Sequence, residues 1–152
     1  MIRILVIRYW IFDIGDFAIY REKHDECNLM TKTILLDDLE IYKLAMEIGD
    51  NVWDIVMRWS YFPKKTLGSQ YTEAADSIAA NIAEGYGRYF YKDRKQFCYY
   101  SRGSIMETKT WTNKAFKREL ITLIELESLI EKLKVLHHKL NSYIKTLKQN
   151  FQ

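Results

Sequence analysis

The densest chemistry in the chain is RYFYKDRKQFCYYSRG, residues 88 to 103, where Arg88, Lys92, Arg94, Lys95 and Arg102 alternate with Tyr89, Phe90, Tyr91, Phe97, Tyr99 and Tyr100. Cations suit phosphates and flat rings suit unpaired bases, so this composition fits a surface for RNA or DNA. The same side chains also suit a second arrangement, with rings in the core or between subunits and cations on a solvated face. Lys109, Lys114, Lys117 and Arg118 extend the positive charge without aromatic company.

A second group is polar. Asn81 and Glu84 are three residues apart, as are Ser104 and Glu107, so each pair shares a helix face. On antiparallel neighbouring helices the four could meet in a buried hydrogen-bond network that fixes register, with Arg88 at its end. A carboxylate pair without a nucleophile or metal has little catalysis to offer.

Other chemistries lack their residues. Di-iron bundles need Glu-x-x-His, and none occurs. Gly85 and Gly87 form GxG, but Phe90 stands where a dinucleotide fingerprint needs its third glycine. There is no GxSxG, and Cys27 and Cys98 have neither CxxC nor zinc-ligand spacing. Cys98 reads as a small core residue, and His137 and His138 as straddling a helix face, one partly covered and one solvated. The expectation is a protein that is not an enzyme, with no catalytic residue, metal or cofactor.

Charge is polarised along the chain. Asp37 to Asp54 holds six acidic residues against Lys43 alone, a net of −5, whereas Arg88 to Arg118 holds nine basic residues against Asp93 and Glu107, a net of +7. The whole chain of 152 residues is +3, which permits an acidic partner without requiring one. Cysteine usage points to reduced thiols and a cytoplasmic location.

The elements that position these residues follow from periodicity. One proline and six glycines are too few for a sandwich or barrel, and 48% hydrophobic residues can build a core. Ile41, Ala45, Ile48, Val52, Ile55 and Trp59 mark helix one, about 37–59, with Lys43, Glu47, Asp50, Asp54 and Arg58 opposite. Leu67, Tyr71, Ala74, Ile78 and Ile82 mark helix two, about 65–85, after Pro63; Gly85 and Gly87 supply positive φ beyond its last turn. Phe97, Tyr100, Ser104, Thr108, Trp111 and Ala115 mark helix three, about 92–119. Thr122 and Glu125 have capping-box spacing ahead of helix four, about 123–148, which runs through Leu126, Leu129, Leu133, Leu136, Leu140, Ile144 and Leu147. Short connections make neighbours antiparallel, giving an all-α up-down four-helix bundle.

Residues 1–29 differ. MIRILVIRYWIFDIGDF is broken by Arg3, Arg8, Asp13 and Asp16, too short an apolar run for a bilayer and unlike a signal peptide. They read as an extension upstream of a natural start at Met30, the bundle domain being 30–152; an N-terminal arm packing Ile4, Val6 and Trp10 is the alternative.

DDLEIYKLAMEIGDNVWDIV, AADSIAANIAEGYGR and QFCYYSRGSIMETKTW together resemble the bacterial four-helix-bundle family encoded in intervening sequences of the large-subunit ribosomal RNA gene, over about Leu35 to Leu147. That family is similar in fold to the accessory variability determinant of diversity-generating retroelements. The resemblance implies a ring-like homo-oligomer, a pentamer, without catalytic activity. Through the retroelement relatives it further implies nucleic acid and a reverse transcriptase as partners, and it involves no membrane. Asn81, Glu84, Gly85, Gly87, Arg88, Ser104 and Glu107 fall on the family's motif positions, none thereby an active-site residue.

Overall fold

A computed structural model describes residues 35–149. The proposed start at Met30 and the extension 1–29 lie outside those residues.

A 3-10 turn, Leu36–Asp38, leads into α1, Glu40–Met57. The apolar series of α1 is buried throughout, from Ile41 to Trp59, and Lys43, Glu47, Asp50, Asp54 and Arg58 are all exposed, as the spacing predicts. A short helical turn, Tyr61–Pro63, and a π segment, Lys64–Gly68, precede α2, Ser69–Gly87. Helical structure thus begins before the expected residue 65, because Pro63 fits a first turn, where no N–H is needed. A Cβ at Gly68 would fall 2.7 Å from Val56 Cγ1, so the π segment passes where a side chain would not fit. Helices α3, Tyr91–Lys117, and α4, Leu123–Gln149, each hold 27 residues and extend ~40 Å.

Two features of the α2–α3 corner depart from expectation. No glycine among the described residues has positive φ; Gly85 serves close approach instead. A Cβ there would lie 2.9 Å from Phe97 Cβ and 3.1 Å from the Arg94 carbonyl oxygen. The left-handed residue is Glu119, φ 58°, after α3. There Leu120 N–H donates to the Ala115 carbonyl at 2.9 Å, closing a Schellman-type end, and the Leu120 carbonyl accepts from Trp59 Nε1 at 2.9 Å.

The seam of α3 is also rotated from the expected one. Cys98, Ser101, Ile105, Thr108, Thr112 and Ala115 are buried, while Phe97, Ser104 and Trp111 sit at the margin and Tyr100 is exposed. Hydroxyls make that face tolerable in a core, since each has a partner. Ser101 Oγ donates to the Ile78 carbonyl of α2 at 3.0 Å, Thr108 and Thr112 return to carbonyls one turn back, and Thr112 Oγ1 meets Tyr71 OH at 2.8 Å.

Those two cross-helix bonds set the antiparallel register of α2 and α3, pairing 78 with 101 and 71 with 112. The core then falls into two clusters. Ile41, Ile48, Ile78, Ile105, Leu136 and Leu140 belong to one. Val52, Trp59, Tyr71, Ala115 and Leu129 belong to the other. The capping box at α4 forms as its spacing predicts: Glu125 N–H donates to Thr122 Oγ1 at 3.2 Å, and Thr122 N–H to Glu125 Oε2 at 2.8 Å. The chain is a four-helix bundle.

Candidate nucleic-acid interface

Basic residues of α3 separate by helical angle. Lys95, Arg102 and Lys109 recur every seven residues, so they line one stripe about 10 Å apart, on the flank of α3 that meets α4. Tyr99 stands between the first two. Its ring has Lys95 Nζ 5.5 Å and the Arg102 guanidinium carbon 4.8 Å from its centroid, and it packs against the core. Tyr99 therefore holds cations in place and does not offer an open face to a base.

From α4, Asn141 Oδ1 accepts from Arg102 at 3.4 Å, and Asn141 Nδ2 lies 3.2 Å from His137 Nε2. His137 is half-buried and His138 exposed, as expected of the pair. Burial, followed by the charges of His138, Arg102 and Lys109, holds the His137 imidazole below its ordinary 6.5, so three of the four influences on this ring are cationic neighbours.

The carboxylates are elsewhere. Ion pairs among the described residues are Arg58–Glu125, Arg88–Glu84, Lys132–Glu47, Lys134–Glu131 and Lys139–Glu40. Three of the five join α1, or the residue after it, to α4. None includes Lys95, Arg102 or Lys109.

The other expected site residues are dispersed. Arg88 is paired with Glu84 and lies over the Phe97 ring at 4.9 Å, so its charge is spent locally. Arg94 turns back to donate from Nε to the Arg88 carbonyl at 2.6 Å. Lys92 is exposed on the first turn of α3, away from the seam. Tyr89, 86% exposed, packs edge-on against exposed Phe90 at the corner, while Tyr91 is half-buried. Those two exposed rings are the aromatic surface nearest the stripe's amino-terminal end.

The expected polar network does not form between helices. Asn81 donates to the Ser77 carbonyl, Ser104 to the Tyr100 carbonyl, and Glu107 accepts from Trp111 Nε1, each within its own helix; Glu84 takes Arg88. Register explains this. With 78 opposite 101, residue 104 faces the neighbourhood of 75, and Glu107 shares a small cleft with Gln70, Glu73 and Ser77, about ten ångströms along the axis from Glu84. The cross-helix polar contacts are Ser101–Ile78 and Tyr71–Thr112, which the sequence reading did not single out.

No chemistry of another kind converges here. Burial pushes the Cys98 thiol up to about 11, leaving it protonated and inert. Among the described residues no three His, Cys, Asp or Glu side chains gather as a metal site, and no helix is long and apolar enough to cross a membrane. A groove of about 390 Å³ between α1 and α2 is floored by Ala45, Gly49, Ala79 and Ala83 and edged by Asp50 and Asp76. Burial, then the Asp50 charge, raises the Asp76 carboxyl.

The fold and its motifs agree with one family: the sequence model of the 23S rRNA-intervening sequence protein matches residues 37–142. The chain belongs to that family. A solved structure of similar fold is a protein of unknown function from the S23 ribosomal protein family of Bacteroides thetaiotaomicron, 20% identical, TM-score 0.64, covering 69% of this chain and 98% of that one. No curated protein matches the sequence. The matched span of the intervening-sequence protein model contains α1, α2, α3 and most of α4, and with them all members of the basic stripe.

Proposed function

We propose that this intervening-sequence protein is a non-enzymatic helical bundle that binds the backbone of RNA or DNA along the α3 stripe. One observation carries the reading: Lys95, Arg102 and Lys109 lie in register on one flank with no carboxylate partner among the described residues, while the acids of α1 are engaged by α4. Cations preorganised on a rigid helix gain more from releasing condensed counterions than they lose in ordering. The RNA carrying the family's own intervening sequence is the natural first ligand.

Fluorescence anisotropy with a labelled RNA tests this. Replacing Lys95, Arg102 and Lys109 together with Gln lowers affinity on all sequences alike and reduces the slope of log affinity against log salt by about 2. Unchanged affinity and slope overturn the reading.

A second reading has one observation in its favour. Met46, Trp53 and Met57 are exposed on α1 beside Asp50 and Asp54, a surface able to seat another copy's basic flank in a homo-oligomer such as a pentamer, with the stripe neutralised there. In that case mass measured by light scattering falls at high salt and RNA does not bind. A reverse transcriptase as partner would compete for the same cations, and its addition would displace the RNA.

A further inference from the structure

Hydrogen bonds around Asn141 have a direction that Arg102 dictates. A guanidinium only donates, and Arg102 Nη1 is 3.4 Å from Asn141 Oδ1, so the amide oxygen of Asn141 faces α3 and its NH2 group faces His137. That NH2 group lies 3.2 Å from His137 Nε2. Because the NH2 donates, Nε2 must accept, which makes His137 the neutral tautomer with its proton on Nδ1.

Protonating His137 sets two donors against each other. Asn141 must then turn its amide over, giving its oxygen to the imidazolium and its NH2 group to Arg102, whose hold is thereby lost. Arg102 bound to Asn141 and a charged His137 exclude one another. The charged groups around the ring reinforce this. Helix α3 brings Arg102 and Lys109, and α4 brings His138 and, one turn earlier, Lys134, which Glu131 engages. The acids of α1 are on the other flank, where Glu40 and Glu47 are taken by Lys139 and Lys132.

We propose that His137 and Asn141 make the α3 stripe a proton-coupled polyanion site: a phosphate that draws Arg102 away frees the Asn141 amide to turn, and His137 takes one proton from solvent and joins Arg102 and Lys109 against that phosphate. This rests on the reading of the stripe given above. Free, His137 titrates below its ordinary value; beside a phosphate it titrates higher. Between those two points the complex holds the extra proton, so affinity is greatest on the acid side and declines to a plateau on the alkaline side.

The test is anisotropy with a labelled single-stranded RNA from about pH 5.5 to about pH 8 at constant ionic strength. Wild-type affinity falls roughly tenfold across that range, the effect of one unit of coupling. His137→Gln, which keeps an acceptor and cannot charge, is flat at the alkaline plateau, whereas His138→Gln retains the slope. A wild-type slope surviving in His137→Gln overturns the coupling while leaving the stripe intact. Affinity indifferent to the triple Gln substitution overturns the stripe, and the coupling with it. Nitrogen-15 spectra of the wild-type imidazoles give a readout independent of any variant's folding. The free protein shows His137 protonated at Nδ1, and its titration moves upward when RNA is added; an Nε2–H tautomer, or a titration RNA leaves in place, refutes the proposal.

Discussion

Helix α4 lies between two neighbours that treat its polar residues in opposite ways. Toward α1, Lys132 Nζ reaches Glu47 at 2.6 Å and Lys139 Nζ reaches Glu40 at 2.5 Å, with Arg58 engaging Glu125 near the start of α4. Toward α3, the contact is Asn141 with Arg102, next to His137, Lys109 and Lys95, and no opposite charge closes it. Both flanks use long side chains over the same type of apolar seam. What differs is that one seam balances its charge internally and the other leaves a surplus, and a surplus is what an external polyanion can use.

That contrast can be broken at several points. The largest effect expected is on the uncompensated flank: the Lys95, Arg102 and Lys109 to Gln variant loses roughly tenfold or more in RNA affinity at low salt, while its melting temperature stays near wild type because the stripe holds nothing together. Replacing Lys132 and Lys139 with Gln, the matching change on the neutral flank, leaves RNA affinity within about twofold. If both variants lose affinity equally, net charge and not placement is what matters.

Seating of α3 comes next. Gly85→Ala drives a methyl against Phe97 Cβ and the Arg94 carbonyl, so urea denaturation should register a loss of about 1–3 kcal/mol. Thr122→Ala removes one side of the capping box and costs about 1 kcal/mol by the same measurement.

Smallest is the acid response of the neutral flank. The Lys139 hydrogen bond and charge hold the Glu40 carboxyl below its ordinary 4.5. At Glu125 burial pushes upward, but the Thr122 N–H and hydroxyl and Arg58 together outweigh it and hold this carboxyl low as well. Both groups release protons more readily when folded, so their contribution is present above pH 4.5 and is lost as the pH falls through the folded values. The urea midpoint should decline there, and less steeply in Lys139→Gln. An equal decline in the two proteins would mean the α1 flank contributes nothing.

The sequence made the bundle legible because burial follows spacing wherever the residues are aliphatic. Ile41 to Trp59 and Leu129 to Leu147 lie on the faces their periods predict, and the Thr122–Glu125 cap could be read from two letters. On α3 the same logic misfires, because rings look apolar and hydroxyls look polar. Phe97 and Tyr100 were given the seam that Ser101 and Thr112 occupy, since a hydroxyl bonded to a backbone carbonyl is cheap to bury and a ring packed by a cation is comfortable at the margin.

Half of the site was legible. The excess of cations was plain, and the interval of seven joining Lys95, Lys109 and Arg102 was available to separate them from Arg88, which has Glu84 four residues before it. His137 and Asn141, four apart on α4, become part of the site only through the register of two helices, and nothing local encodes that register. The same limitation undid the expected meeting of Asn81 and Glu84 with Ser104 and Glu107, whose spacing within each helix was sound.

The hydroxyls along the inner side of α3 have a mechanical consequence. Were this helix to roll about its long axis, Ser101 would leave the Ile78 carbonyl and Thr112 would leave Tyr71, stranding oxygens in a dry interior. A greasy helix could slip past its neighbours by small steps; this one is keyed like a shaft in a slotted hub. Its outer side is therefore aimed once, at folding, and the residues displayed there can be exchanged over generations without the bundle having to find a new alignment.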